Sequence, residues 1–309
     1  MAKFIEAPQK VYIEKTIELA KSDLTGLIET SEKRYRRQID AAAQAILHAK
    51  SNVVFLTGPS SSGKTTSSIF LEQELKKFGK ETIRISLDNF YRDREDLPCW
   101  SDGTRNFECI EGLDLDFFAE RVNALLADGD AKMPRFDFKE GKRSEKTFEV
   151  HYGDDTIIIF EGIHALNPDL YGRVSIDGIT KIYVSVHSDY VDNAGKKYIK
   201  AQDIRLCRRM IRDYLHRGTE PNFTLELWGK VCLGEKEYIR PYRTNSDISI
   251  NSMHDYEIFV YRDYMIDYSK SFPDNEEIFK LVGKLEKLPS LYERIIPKTS
   301  MLREFLPYE

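Results

Sequence analysis

The chain has 309 residues, 41% of them hydrophobic and 31% charged, with a formal net charge of -5. That balance suits a folded chain with a large core and excludes a disordered polymer, while the acidic surplus argues against general nucleic-acid binding. No apolar run approaches the roughly eighteen residues that span a bilayer, so neither nucleic acid nor membrane is expected as a partner.

Met1 to Pro8 lacks the apolar stretch of a secretory signal, which makes the cytoplasm the expected location. Residues 1–50 read as a helical N-terminal extension, with apolar residues at three- and four-residue spacing over Glu14 to Ile28 and Glu32 to Ala49. From Ser51 the pattern turns to short apolar runs separated by turns and amphipathic helices, as in a mainly parallel sheet with covering helices. The predicted strands are Val53 to Thr57, Thr82 to Leu87, Thr156 to Phe160, Lys181 to Val186 and Ile248 to Ile250. The predicted helices are Thr65 to Phe78, Leu115 to Leu126 and Ala201 to Arg217, and the polar, aromatic stretch from Ala131 to His151, with Gly141-Lys142 at its centre, reads as a protruding hairpin. Helical patterning returns after Met253, which divides the chain into 1–50, a core of 51–255, and a helical C-terminal extension of 256–309 ending in the tail Arg294 to Glu309.

The first predicted strand runs into Gly58-Pro59-Ser60-Ser61-Ser62-Gly63-Lys64-Thr65, and a helix-compatible stretch beginning Thr66 follows. This is the pattern G-x-x-x-x-G-K-[ST] in its required strand-loop-helix context. The glycines let backbone N–H groups wrap a phosphate, Lys64 is placed to bridge β- and γ-phosphate oxygens, and the Thr65 hydroxyl is placed to bind magnesium. Gly58, Ser60, Ser61, Ser62, Gly63, Lys64, Thr65 and Thr66 are therefore the expected nucleotide-binding set, with ATP and Mg2+ as the expected cofactors.

Two further strands end in acids. Ile157 to Phe160 leads into Glu161-Gly162, and a carboxylate there is a second candidate magnesium ligand. The strand ending at Leu87 leads into Asp88-Asn89-Phe90-Tyr91, so Asp88 falls at the carboxyl edge of the sheet, where α/β proteins bind ligands, and is a candidate to accept a hydroxyl proton. Arg205, Arg208, Arg209 and Arg212 gather on one side of a helix, with Ile204, Cys207, Ile211 and Tyr214 left to face a core; four adjacent guanidiniums repel unless anions intervene, and a transferring phosphoryl group is such an anion. There is no N-K-x-D guanine motif and no L-S-G-G-Q signature. Four scattered cysteines and six histidines without ligand spacing leave a hard, oxygen-held cation as the expected metal.

Together, Gly58 to Thr65, Leu87-Asp88-Asn89-Phe90-Tyr91, Pro134-Arg135-Phe136-Asp137-Phe138, Phe160-Glu161-Gly162-Ile163 and Asp203 to Asp213 resemble the uridine kinase and phosphoribulokinase family. The tail Ile296 to Phe305 resembles that of a bacterial-type, uridine kinase-like branch. The resemblance implies a P-loop NTPase three-layer α/β fold with a protruding hairpin, an arginine-rich lid and helical extensions. It implies an ATP- and magnesium-dependent phosphotransferase that acts on a hydroxyl of a small molecule, a nucleoside or another polyol. Carried over by position, it makes Asp88 the catalytic base and a candidate magnesium contact, Tyr91 a substrate-side residue, Glu161 a magnesium ligand, and the four arginines a lid. Phe107 and Glu108 fall where such kinases place an aromatic residue and a ribose-binding acid, and the hairpin, with Arg135 and Phe136, falls at the acceptor pocket. Relatives often assemble as homo-oligomers, for which the terminal helices are the candidate surfaces.

Phe136 and Gly141 stand where pyrimidine kinases carry a tyrosine and a histidine, and neither can donate a hydrogen bond. That removes a strong means of reading a base edge. Val231-Cys232-Leu233-Gly234 likewise stands where the branch tends to have arginines before a glycine. Two other readings stay open: a nucleotide-binding regulatory protein with an altered acceptor pocket, and a kinase of pantothenate, glycerate or a sugar phosphate, for which Arg135, Lys139, Lys142 and Arg143 would suit an anionic acceptor.

Overall fold

The structure is a computed structural model that describes residues 3–4, 7–175 and 177–307. In chain order the strands are β1 (Lys3–Phe4), β2 (Val11–Tyr12), β3 (Val53–Thr57), β4 (Glu81–Ser86), β5 (Asp130–Asp137), β6 (Lys142–His151), β7 (Thr156–Glu161), β8 (Ile179–Ser185), β9 (Tyr190–Val191), β10 (Lys197–Ile199) and β11 (Ile248–Asn251). The helices are α1 (Ile13–Ser22), α2 (Leu24–His48), α3 (Lys64–Lys77), α4 (Leu115–Asp128), α5 (Pro168–Tyr171), α6 (Ala201–Arg217), α7 (Pro221–Gly234), α8 (Glu257–Ser269) and α9 (Glu276–Leu285).

All five strands read from the sequence pair in parallel within a six-stranded sheet of order β1-β11-β8-β3-β7-β4. β3 is buried at every position and β7 at all but its last, because helices cover both faces. Alternation sorts their side chains. Val54, Leu56, Ile157 and Ile159 pack under a layer that includes Tyr35, Ile39 and Ile46 of α2, Leu71 of α3 and Met210 of α6. Val53, Phe55, Ile158 and Phe160 face Phe118 and Val122 of α4, with Phe90 and Met133. This is a three-layer α/β arrangement, a mainly parallel sheet held between two helical layers.

The register positions the chemistry. Leu56 pairs with Glu161, Ser86 pairs with Glu161, and Thr57 pairs with Tyr183, so β3, β4 and β7 end level with one another. The turns that follow them therefore open on one edge of the sheet. β5 and β6 form the hairpin, which is fastened to the segment after β4. Phe136 N donates to Asn89 Oδ1 (3.1 Å), Arg94 N to Gly141 O (2.7 Å) and Arg143 N to Asp93 Oδ1 (2.9 Å).

Several details differ from the sequence reading. The N-terminal helices break at Asp23 and not near Glu29: Asp23 leaves the helical region (φ -149°) and its side chain caps α2 at Gly26 N (3.0 Å). A small sheet of order β10-β9-β2 and the edge strand β1 were not expected, nor was α7, which opens with Pro221 in its first turn. Tyr214 stays 43% exposed and meets only the edge of the core, its ring lying on the buried Tyr268 with ring centroids 5.2 Å apart. Among the described residues no helix is long and apolar enough to cross a membrane.

Candidate active site

At the carboxyl edge of the sheet, β3 turns through Gly58 to Gly63 into α3. A side chain at Gly58 would place its Cβ 1.9 Å from Val184 O of β8, so only glycine lets the turn leave the sheet here. Ser61 (φ 57°) and Gly63 (φ 85°) both adopt the left-handed conformation, the local geometry that turns N–H groups into an anion-binding concavity. The Ser61 and Ser62 hydroxyls are buried and have no hydrogen-bond partner among the described residues. Such orphaned donors beside a helix N-terminus fit a phosphate. Lys64 Nζ donates to Pro59 O (3.2 Å) within the loop.

A cavity of about 320 Å³ opens over this loop. Its floor carries Ser60 to Thr65, and its walls bring in Asp88, Tyr91, Glu108, Glu161, Arg209 and Arg212. Thr65 Oγ1 lies 3.3 Å from Glu161 Oε1, an alcohol and a carboxylate side by side. Two oxygen donors of this kind suit magnesium, which takes few protein ligands and completes its shell with phosphates and water. Burial pushes the Glu161 carboxyl above its ordinary value, Lys64 pulls it back, and Asp88 and Glu304 push it up again. Asp88, in the turn after β4, is raised by burial and pulled down by Lys64 and Arg217. Burial in turn lowers the Lys64 ammonium, against the pull of Glu161, Asp88 and Glu304.

The four arginines of α6 read from the sequence divide in two. Arg209 and Arg212 line the cavity, joined by Arg217, and the buried Asp213 gathers all three: it lies 3.3 Å from Arg209 Nε, 2.8 Å from Arg212 Nη2 and 3.3 Å from Arg217 Nη1. Arg209 Nη1 also donates to Ser60 Oγ (2.7 Å), which ties the helix to the loop. Arg205 and Arg208 lie outside the cavity, contrary to their reading as lid residues. Arg205 pairs with Glu235 (2.5 Å) and donates to Ser60 O (3.2 Å). Arg208 is completely buried, grips Glu257 at 2.7 and 2.9 Å, and reaches Ser61 O at 3.4 Å. The anions that keep these guanidiniums together are therefore the protein's own carboxylates, and the pair braces the loop from behind.

Elsewhere around the cavity, Tyr91, Phe107, Phe136 and Phe138 line it with Leu97 and Glu108. The Tyr91 hydroxyl is already used, donating to Phe107 O (2.8 Å), so Tyr91 offers the cavity its ring. Arg135 points away from the cavity, exposed and stacked over Phe148 (5.0 Å). Arg143 is likewise turned away, to Asp114 (3.1 Å). The cation that does line this wall is Arg94, which sequence reasoning missed. A Cβ on Gly141 would lie 2.6 Å from the Arg94 guanidinium carbon, so the glycine there gives the arginine its room. Glu304 of the tail was missed as well; its carboxylate accepts from Thr66 N (3.1 Å) and Thr66 Oγ1 (2.7 Å). The tail offers the sequence a resemblance and no chemical motif, and Arg94 and Arg217 belong to no motif.

Burial lifts the Glu108 carboxyl to about 7, against the pull of Arg209 and Lys64. Between its ordinary value of 4.5 and about 7, the folded chain keeps a proton that the unfolded chain gives up, so stability falls as pH rises through that window and levels off above it. Replacing Glu108 by Gln removes this dependence. E108Q and wild type are expected to melt close together near pH 4, with E108Q ahead by pH 8 (~4 and ~8 bracket the two values). Thermal unfolding at both pH values checks this, and a constant gap would rule it out.

A model of the phosphoribulokinase / uridine kinase family matches residues 53–259. A uridine kinase from Limosilactobacillus reuteri is 30% identical to this chain over 199 residues, covering 64% of this chain and 82% of that protein. A uridine kinase from Bacillus licheniformis is 29% identical over 199 residues, covering 64% of this chain and 84% of that protein. Among solved structures, a Silicibacter sp. TM1040 protein designated a fructose transport system kinase aligns with a TM-score of 0.51 at 20% identity, over 68% of this chain and 98% of that one. That last likeness concerns the fold alone.

Proposed function

The chain belongs to the phosphoribulokinase and uridine kinase family and is a kinase, and on that premise we propose that it transfers the γ-phosphate of ATP, with magnesium, to a hydroxyl of a nucleoside. The observation that carries this reading is the meeting of Lys64, Asp88, Glu161, Arg209 and Arg212 in one cavity over the Ser60–Thr65 turn. Phosphoryl transfer asks little covalent chemistry of the protein and much positioning and charge.

Each part has a role in that scheme. The loop amides and the partnerless Ser61 and Ser62 hydroxyls receive the donor phosphates. Thr65 and Glu161 hold magnesium, whose charge offsets that of the phosphates when it is bound. Lys64, Arg209, Arg212 and Arg217 stabilise the charge on the transferring group. Asp88 accepts the proton of the acceptor hydroxyl as its oxygen bonds to phosphorus, and ADP leaves. The rings of Tyr91, Phe107, Phe136 and Phe138 suit the flat face of a base, and Glu108 suits the hydroxyls of a ribose. The uridine kinase relatives support a nucleoside acceptor.

Arg94 favours a second reading, an acceptor that carries a carboxylate or phosphate, because a guanidinium in that wall matches such a group with two parallel hydrogen bonds. ADP release measured across nucleosides, glycerate, pantothenate and sugar phosphates separates the two. We expect a nucleoside to raise turnover at least about tenfold over the acceptor-free rate, the size of effect that correct positioning gives. Turnover with anionic acceptors alone would replace the first reading by the second, and no acceptor-dependent release at all would sink both.

A further inference from the structure

The C-terminal tail crosses the mouth of the phosphate loop and does so as a fixed element. Met301, Leu302, Phe305 and Leu306 are fully buried. Ser300 Oγ donates to Glu32 Oε1 (2.5 Å), Arg303 Nη2 donates to Ile296 O (2.5 Å), and His216 Nε2 lies 2.9 Å from Leu306 O. Met301 lies against Gly63, and the Phe305 ring lies under the Arg208 guanidinium (5.0 Å). Between them only the Glu304 side chain reaches into the cavity.

There it takes the position an anionic ligand would want. Thr66 N is one of the unpaired donors of the first turn of α3, and both it and the Thr66 hydroxyl are spent on the same Glu304 oxygen. A helix N-terminus holds one anion well at such a place, and two negative groups there repel each other. The chain thus carries, tethered to its own phosphate cradle, a carboxylate that competes with a ligand phosphate. Tethering makes even a weak competitor effective, because its local concentration is fixed by the packed backbone.

We propose that Glu304 is an internal competitor for donor phosphate at Thr66, so that the tail sets donor affinity and leaves the acceptor wall untouched. The inference rests on reading Gly58 to Thr66 as the donor's phosphate cradle. It differs from a lid, because the tail backbone stays packed and only one side chain must turn aside.

The test uses inorganic tripolyphosphate without magnesium, a ligand that fills the cradle and has no base, and a non-hydrolysable ATP analogue in parallel. Calorimetric titration of the full chain should give roughly tenfold tighter tripolyphosphate binding for E304A than for wild type, the worth of one charge-assisted hydrogen bond released to the ligand. E304Q, which removes the charge and keeps an acceptor for Thr66 N, should fall between them and serves if E304A does not fold. Unchanged, weaker or undetectable tripolyphosphate binding in the folded variants would overturn the proposal, whatever the ATP analogue does. Tighter tripolyphosphate binding with no binding of the ATP analogue to any variant would leave the proposal standing and remove ATP as the donor. A merely structural role for Glu304 would instead lower the melting temperature and the affinity together.

Discussion

Replacing Asp88 by Asn is expected to lower kcat by roughly two to four orders of magnitude, the usual worth of a positioned general base. Asparagine keeps the shape of the side chain and cannot take a proton, so donor binding should change little. The fold should not suffer either. Burial already works against the Asp88 charge, and Asp88 in turn raises Glu161, so its removal relieves two unfavourable interactions and leaves the melting temperature equal or higher. Lys64 loses one of the carboxylates that keep it charged and retains Glu161 and Glu304. Steady-state kinetics with the best acceptor, beside thermal unfolding, test this directly. Acceptor-dependent turnover within about twofold of wild type would remove Asp88 from the mechanism, since a general base contributes far more than that.

The largest loss of stability is expected at the Arg208–Glu257 pair. Both side chains are fully buried, so Glu257→Gln leaves a guanidinium in the interior without its counter-charge. Breaking such a pair costs about 3–5 kcal/mol, roughly 10 °C in melting temperature for a chain of this size. Arg208→Met should cost a similar amount by stranding Glu257, and the double change R208M/E257M should recover part of it, because well-packed apolar side chains often replace buried ion pairs without loss. Arg209→Met makes the contrast: it lines the cavity, so turnover should drop, while melting should fall much less than for R208M because Asp213 keeps Arg212 and Arg217. If E257Q melted within a degree or two of wild type, or if R208M and R209M behaved alike, the division of α6 into a bracing half and a cavity half would fail.

Why the sequence could not make that division is a matter of distance along the helix axis. Arg205 and Arg212 share a side of α6, yet seven residues separate them by about 10 Å. One therefore meets Glu235 and the back of the loop while the other meets the cavity. The deciding carboxylates, Glu235 and Glu257, lie 30 and 49 residues further along the chain, and no local pattern announces them. Gly58 to Thr65, Asp88 and Glu161 were legible because each combines a strand, readable as a short apolar run, with a residue at its carboxyl end. β1, β2 and β9, at two residues each, are too short to carry a period. Arg94, Arg217 and Glu304 reach the cavity through tertiary contacts alone.

The hydrogen bonds that fasten the hairpin to residues 89–94, three of them donated by backbone N–H groups, bear on how this pocket could be re-engineered or could diverge. Phe136 hangs from Asn89, one residue beyond Asp88, so the wall proposed to meet the acceptor and the turn that carries the proposed base share one rigid mount. A graft of residues 130–151 from a kinase with another acceptor would bring a new lining onto the old anchor points and shift Asp88 with it. The unit to exchange is residues 88–94 together with 130–151. Acceptor range and catalytic rate are then inherited as one cassette, while the phosphate loop and its bracing arginines stay behind as a common chassis.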